Sequence, residues 1–291
     1  MESLFIKGTC MATREMYYDD PTCLGSYLLC AMESWVRQNF ENTGEFKTDY
    51  PNEIKKKYGE VRVANDAFQN DIHNLSISYH QMKHVLAQDQ SHVESGLKTL
   101  YLGNLVEHYM TNVRSIYDQM AVFARTVVDH QHLPLRNVSQ DSLNKLITFL
   151  KNNEERATEI FSAPMVKQIL SMETSLETVK IIRDAIIHDG KEPVITLSSG
   201  IAHIRINKHM YNREESLLPD LLNLGVPDYP LFPYLHKITS VLFMDIHHLG
   251  EQILNCFFIK DEKFPFEFIT LIGVCMPDFV SFLNGDQQKK E

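Results

Sequence analysis

The chain has 291 residues, 44% of them apolar and 23% charged, with a formal net charge of −10 at neutral pH. That length can bury a sizeable core as one large domain or two, and the composition is that of an ordinary folded protein. The acidic balance argues against broad electrostatic capture of nucleic acid, while leaving room for a local basic pocket or a basic partner protein. Glycine and proline are scarce, at 12 and 11 residues, which favours helices over a strand-rich fold. Met1-Glu2-Ser3-Leu4-Phe5-Ile6-Lys7 shows no basic start followed by a long apolar run. The most apolar window, 266–283, is interrupted by Glu267, Pro277 and Asp278. A cytoplasmic protein without membrane contact is therefore expected. The five cysteines, Cys10, Cys23, Cys30, Cys256 and Cys275, are odd in number and nowhere spaced C-x-x-C. Neither a disulfide framework nor a zinc knuckle is indicated, and reduced, buried thiols are expected.

In chain order, 27–40 is amphipathic and carries the single tryptophan, Trp35. Residues 41–60 are polar, with Gly44, Pro51 and the run Lys55-Lys56-Lys57; they read as a loop or linker with solvated lysines. A helix is predicted over 61–87, carrying Phe68, Ile72, Leu75, Tyr79, Met82 and Leu86, with a polar break at 88–95. The strongest periodicity follows, where Leu97, Leu100, Tyr101, Leu105, Tyr109, Val113, Ile116, Met120, Phe123 and Val127 keep a three-four spacing. A loop at 129–139, containing Pro134, ends it. A further helix is predicted over 141–161, and Pro164 opens the next, where proline is tolerated in the first turn. Three successive helices with short connections suggest an antiparallel bundle. Beyond Gly190 the period changes: 194–197, a Ser198-Ser199-Gly200 turn and 201–206 resemble a β-hairpin. Residues 219–233 are irregular and proline-marked, 234–258 is an amphipathic helix, 268–283 a shorter apolar one broken by Pro277, and the tail from Gln287 is frayed. The division expected is an N-terminal helical or irregular extension (1–60), a helical bundle (61–190), and a hairpin plus C-terminal helices packing on that bundle (191–291).

The segment Arg183-Asp184-Ala185-Ile186-Ile187-His188 ends the helix predicted over 165–187, and Gly190 is expected to stop it. Arginine can hold a phosphate through two parallel hydrogen bonds, and histidine exchanges protons near neutral pH. Together they form a minimal kit for cleaving a phosphodiester. At about 100° per residue, Met165, Ile169, Met172, Leu176, Val179, Ile186 and Ile187 fall on one stripe with Arg183 near its centre, and His188 projects roughly 140° away from Arg183 if the helix is still regular. A stripe arginine either snorkels outward at the end of the core, pairs with a carboxylate such as Asp118, or lies at a site or subunit interface.

A long helix with Val113-Arg114-Ser115-Ile116-Tyr117-Asp118, then a second helix, then one ending Ile182-Arg183-Asp184-Ala185-Ile186-Ile187-His188-Asp189, resembles the HEPN superfamily over roughly residues 97–190. That family's mark is an arginine, a polar residue, and a histidine after four to six intervening positions. The resemblance implies a mainly α, HEPN-like antiparallel bundle with extra flanking helices, dimerising so that two motifs face each other. It implies metal-independent RNA cleavage in active members, commonly in toxin–antitoxin or phage-defence systems, with an RNA substrate and an antitoxin or regulatory protein as partners. Arg183, His188 and Asp184 are the site residues it assigns. Asp184 stands where active members often carry asparagine, and some members are inactive scaffolds.

Other constellations are weaker. His236, Asp245, His247 and His248 share one predicted helix, where a divalent metal is conceivable but a mixed surface-and-core reading is simpler. Asp129, His130 and His132 fall in the loop after the long helix. No nucleophile elbow, P-loop or dinucleotide fingerprint occurs, so no cofactor is expected. Two function classes remain: a HEPN-type ribonuclease, and a non-catalytic HEPN-like module that dimerises or binds protein or RNA.

Overall fold

A computed structural model describes residues 52–88, 95–128, 142–209, 212–257 and 276–285. The helix expected at 27–40 with Trp35, the thiols Cys10, Cys23, Cys30 and Cys275, the loop residues Asp129, His130 and His132, the stretch 268–275 and the tail lie outside the described residues. The architecture is mainly helical with a small antiparallel sheet.

Helix α1 (Asn52–Ala87) and helix α2 (Ser95–Ala124) pack along each other as an antiparallel pair. α1 begins nine residues before the predicted start and crosses position 60, taking in a stretch read as a loop. Its buried stripe explains this: Lys57, Val61, Ala64, Phe68, Ile72, Leu75, Tyr79 and Met82 keep the three-four spacing of one helical face. A lysine at the head of that stripe hides the pattern from a reading based on apolar residues. Lys57 is buried, and its ammonium donates to the carbonyls of Thr126 and Val128 at 3.0 and 2.8 Å. Lys55 and Lys56 are exposed, as expected. Lys98, at the head of α2, does the same in reverse. It is buried and donates to the carbonyls of Leu86 and Gln88 at 2.8 and 3.1 Å, just where α1 ends. The last carbonyls of a helix have no partner within it, so each helix lends an ammonium to the carbonyl end of the other.

Between these two clamps runs a polar ladder. Asp71 lies beside Ser115, which offsets part of the upward shift that burial gives its carboxyl, Asn74 Nδ2 stands 3.5 Å from Asn112 Oδ1, and Ser78 Oγ stands 3.0 Å from His108 Nδ1. The rungs fall three or four residues apart on both helices, so all of them lie on the facing sides.

Helix α2 is the centre of the molecule. It passes into a short 3-10 turn (Arg125–Val127) and packs against α1, against the later helices that carry Arg183 and Asp245, and against the first strand. The helix predicted over 141–161 is two: α3 (Leu143–Asn152), with Ser142 as its N-cap, and α4 (Glu154–Phe161), separated by Asn153, whose φ of −140° and ψ of 51° leave the helical region. The helix predicted over 165–187 is also two, α5 (Ala163–Ser171) and α6 (Glu173–Ile187), so Pro164 opens α5 and not the helix that bears Arg183. The break falls at Met172, which has ψ of −4°. Ser171 Oγ donates back to Gln168 O at 2.7 Å. Such back-bonding by serine bends helices.

The expected hairpin is present: β1 (Val194–Ser198) pairs antiparallel with β2 (Ile201–Arg205). Ser199 and Gly200 both take positive φ, at 51° and 82°, as a two-residue turn matching strand twist requires. A second hairpin, β3 (Asn207–His209) with β4 (Asn212–Ser216), was not foreseen. In the proline-marked stretch, β5 (Tyr229–Pro230) adds to β2 as an edge. Helix α7 (Leu231–Phe257) follows at once, with Pro233 inside its first turn. It buries Leu235, Ile238, Leu242, Ile246, Leu249 and Ile253 against the bundle. Cys256, near its end, is exposed rather than buried. Helix α8 (Pro277–Leu283) begins at its proline and packs on α1 and α7. Among the described residues no helix is long and apolar enough to cross a membrane.

Replacing Lys57 or Lys98 with Met keeps the aliphatic stem but strips two carbonyls of their donor. Each change is expected to lower stability by about 1.5–3 kcal/mol, against less than about 0.5 kcal/mol for Lys55→Met, as read from urea unfolding midpoints. Equal effects at all three positions would sink the clamp.

Candidate functional site

Arg183, Asp184 and His188 come together at the C-terminal end of α6. Leu176, Val179, Ile182, Ala185 and Ile186 bury the helix against the bundle, while Ile187 is exposed. The helix stops where expected. His188 keeps helical angles and its N–H reaches Asp184 O at 2.9 Å. Gly190 then takes φ of +63°, and Lys191 N–H returns to Ala185 O at 3.0 Å. The left-handed glycine turns the chain away and leaves the end of the helix open.

Regular helical geometry would send His188 well away from Arg183. Instead Arg183 Nη1 lies 2.7 Å from His188 Nε2. The long arginine side chain closes the gap by running toward the helix end. Guanidinium nitrogens only donate, so at this contact Nε2 accepts and the imidazole proton sits on Nδ1. The same Nη1 donates to Asp184 Oδ1 at 3.1 Å, and that oxygen stands 3.8 Å from His188 Nε2. All three side chains are reachable, with 34% of Arg183, 40% of Asp184 and 62% of His188 exposed. Arg183 is therefore neither a core residue nor sealed beneath a carboxylate. The stripe that appeared to contain it runs off the edge of the core. Asp118 is not its partner: Asp118 Oδ1 stands 2.7 Å from Arg114 Nη1, one turn away on α2.

The histidines of α7 do not gather around Asp245. His236 Nε2 lies 3.4 Å from Leu283 O, and His248 Nδ1 3.9 Å from Glu251. Among the described residues no group of three potential metal ligands converges. Asp245 belongs instead to a hydroxyl network. Its Oδ2 accepts from Tyr117 at 2.8 Å and from Ser175 Oγ at 2.6 Å, joining α2, α6 and α7 at one point. A second tie, between the hydroxyls of Tyr109 and Thr239 at 2.6 Å, lies farther up α7. Neither tie emerged from reading the sequence. The signal was there, because Asp245 stands between Leu242, Ile246 and Leu249 on a buried face and so needs a donor.

Burial raises the Asp245 carboxyl above its usual range, against the lowering effect of Ser175, Tyr117 and the nearby His248. The folded chain thus holds this proton more firmly than the unfolded chain. Its contribution to stability is present at low pH and is lost as pH rises through the raised folded value. Asp245→Asn keeps an oxygen to accept both hydroxyls but removes the charge. Relative to wild type, the variant is expected to gain stability steadily as pH rises from about 4. Urea unfolding across that range checks it, and parallel pH profiles would refute it.

Comparison with known proteins finds no family model, no curated protein and no solved structure that matches this chain.

Proposed function

We propose that Arg183, Asp184 and His188 form the active site of a metal-independent endoribonuclease of the HEPN type, acting in a toxin–antitoxin or phage-defence setting. The observation that carries this reading is the 2.7 Å contact between Arg183 Nη1 and His188 Nε2 on an open helix end. It puts a phosphate holder and a proton carrier within reach of one phosphodiester. An RNA phosphate entering the cluster takes the donors of Arg183 through a non-bridging oxygen. The guanidinium then stabilises the charge that builds in the transition state. With Arg183 engaged by phosphate, Nε2 of His188 is released as a base for the ribose 2′-hydroxyl. Attack of that oxygen on phosphorus expels the 5′-oxygen and leaves a cyclic phosphate. The leaving oxygen takes a proton from a histidine acting as general acid. In a homodimer the two histidines divide these roles. DNA, lacking the 2′-hydroxyl, is not cut.

A homodimer face is supported by exposed apolar residues. Leu97, Leu100 and Tyr101 are 40%, 61% and 55% exposed on one face at the head of α2, and Ile187 is 43% exposed beside His188. The head of α2 adjoins the chain that leaves α6, since a Cβ on Gly103 would stand 2.9 Å from Pro193 O.

One observation favours the second reading, an inactive HEPN-like module that dimerises or binds protein or RNA. Asp184 already occupies Arg183 at 3.1 Å, and its carboxylate repels an incoming phosphate.

The deciding experiment is cleavage of tRNA and total RNA in EDTA. Wild type is expected to cut, leaving cyclic phosphate ends, and His188→Ala to lose about 10²–10⁴-fold in rate. Asp184→Asn, which removes the competing charge, is expected to raise the rate. No cutting by wild type, with the dimer intact, moves the assignment to the binding module. The dimer is checked by sedimentation. Leu100→Glu combined with Tyr101→Glu is expected to give a folded monomer, and a monomeric wild type would exclude the seam.

A further inference from the structure

A cavity of about 220 Å³ opens between α6 and α7 and ends on Asp245. It lies upstream of Arg183 on α6, and the inference drawn from it stands whether or not that cluster cuts RNA. Val179, Leu221, Ile238 and Val241 supply apolar walls. Four of its lining hydroxyls, those of Ser171, Thr178, Tyr117 and Ser175, already have acceptors for their protons. Ser171 Oγ donates to Gln168 O at 2.7 Å and Thr178 Oγ1 to Thr174 O at 3.0 Å. Tyr117 and Ser175 point their hydroxyls at Asp245 Oδ2. What these side chains still offer is lone pairs. Asp245 adds a carboxylate whose second oxygen, Oδ1, has no hydrogen-bond partner among the described residues. The cation among the lining residues, Lys237, is exposed and stands two turns along α7 from Asp245, about 12 Å away along the axis. It is too far to neutralise the carboxylate.

A cavity with apolar walls, spare acceptors and a half-buried carboxylate that keeps one oxygen unengaged suits a donor-rich, positively charged head on an apolar body. Neutral ligands leave the charge unmatched, and anions are repelled by it. We propose that this cavity is a binding site for a small organic cation, a primary amine carried on a compact apolar group. Its ammonium donates to Asp245 Oδ1 and to the hydroxyl oxygens beside it. The apolar group fills the space against Val179, Ile238 and Val241. Binding at this point holds α6 to α7 where Ser175 and Asp245 already join them, so the site can bias the position of the helix that carries Arg183 and His188.

Benzylamine is the probe, with benzyl alcohol as its uncharged counterpart, and amide chemical shifts of the full chain are the readout. Benzylamine is expected to produce saturable shifts at Ser175, Thr178 and Val241, and benzyl alcohol to bind at least about tenfold more weakly, since the charge-assisted bond is the distinguishing contact. Asp245→Asn is expected to abolish the preference for the amine, and Val241→Phe, which fills the cavity without touching the carboxylate, to abolish binding of both. If Asp245→Asn does not fold, Val241→Phe carries the test. Absence of saturable shifts in wild type, equal binding of amine and alcohol, or amine binding that survives Val241→Phe overturns the proposal.

Discussion

The register of α1 against α2 is the constraint on which everything else rests, and it is held by charge at both ends. Lys57 reaches the carbonyls at the close of α2, and Lys98 those at the close of α1. Sliding one helix by a turn would leave two buried ammonium groups and four carbonyls without partners, and would break the contacts of Asn74 with Asn112 and of Ser78 with His108. An apolar interface between long helices tolerates slippage more readily, because one leucine contact resembles the next. Polar groups cannot be exchanged in this way, since a mismatched one loses its hydrogen bond and its hydration together. The hairpin of α1 and α2 is therefore a ruler against which the later elements are set.

Its second edge places α6 and α7. Tyr109 and Tyr117 both project from α2 with a buried ring and a hydroxyl that must be satisfied, and each finds a partner on α7. Asp245 collects hydroxyls from α2 and α6 at once, so the three helices share one atom. From there α6 runs out to its open end, and Gly190 releases the chain so that Arg183 and His188 meet at the surface. The contrast between these two carboxylates is instructive. Asp245 is half-buried within a hydroxyl network and raised in pKa by burial, whereas Asp184 is open to water and pairs with Arg183.

Much of the molecule was legible because periodicity reports burial. The core positions of α2, from Tyr109 through Phe123, and those of α7 are buried as their spacing predicts. The turn at Ser199–Gly200 was legible because only certain residues accept the backbone it requires. The start of α1 was not, because Lys57 behaves as a core residue through its stem and as a cap through its ammonium. The breaks at Asn153 and Met172 were not legible either, because no proline or glycine marks them and serine back-bonding is a local competition that periodicity does not register.

By itself, then, the sequence determined the helical class, the apolar faces, the hairpin and the fact that an arginine and a histidine stand five positions apart near a helix end. Those features depend on residues close to one another in the chain. Only the tertiary structure decided that Arg183 bends to touch His188, that Asp118 serves Arg114 instead, and that Asp245 joins Tyr117 and Ser175 rather than the neighbouring histidines. Partners separated by scores of residues are chosen by packing, and a side chain with several rotatable bonds is aimed by what surrounds it.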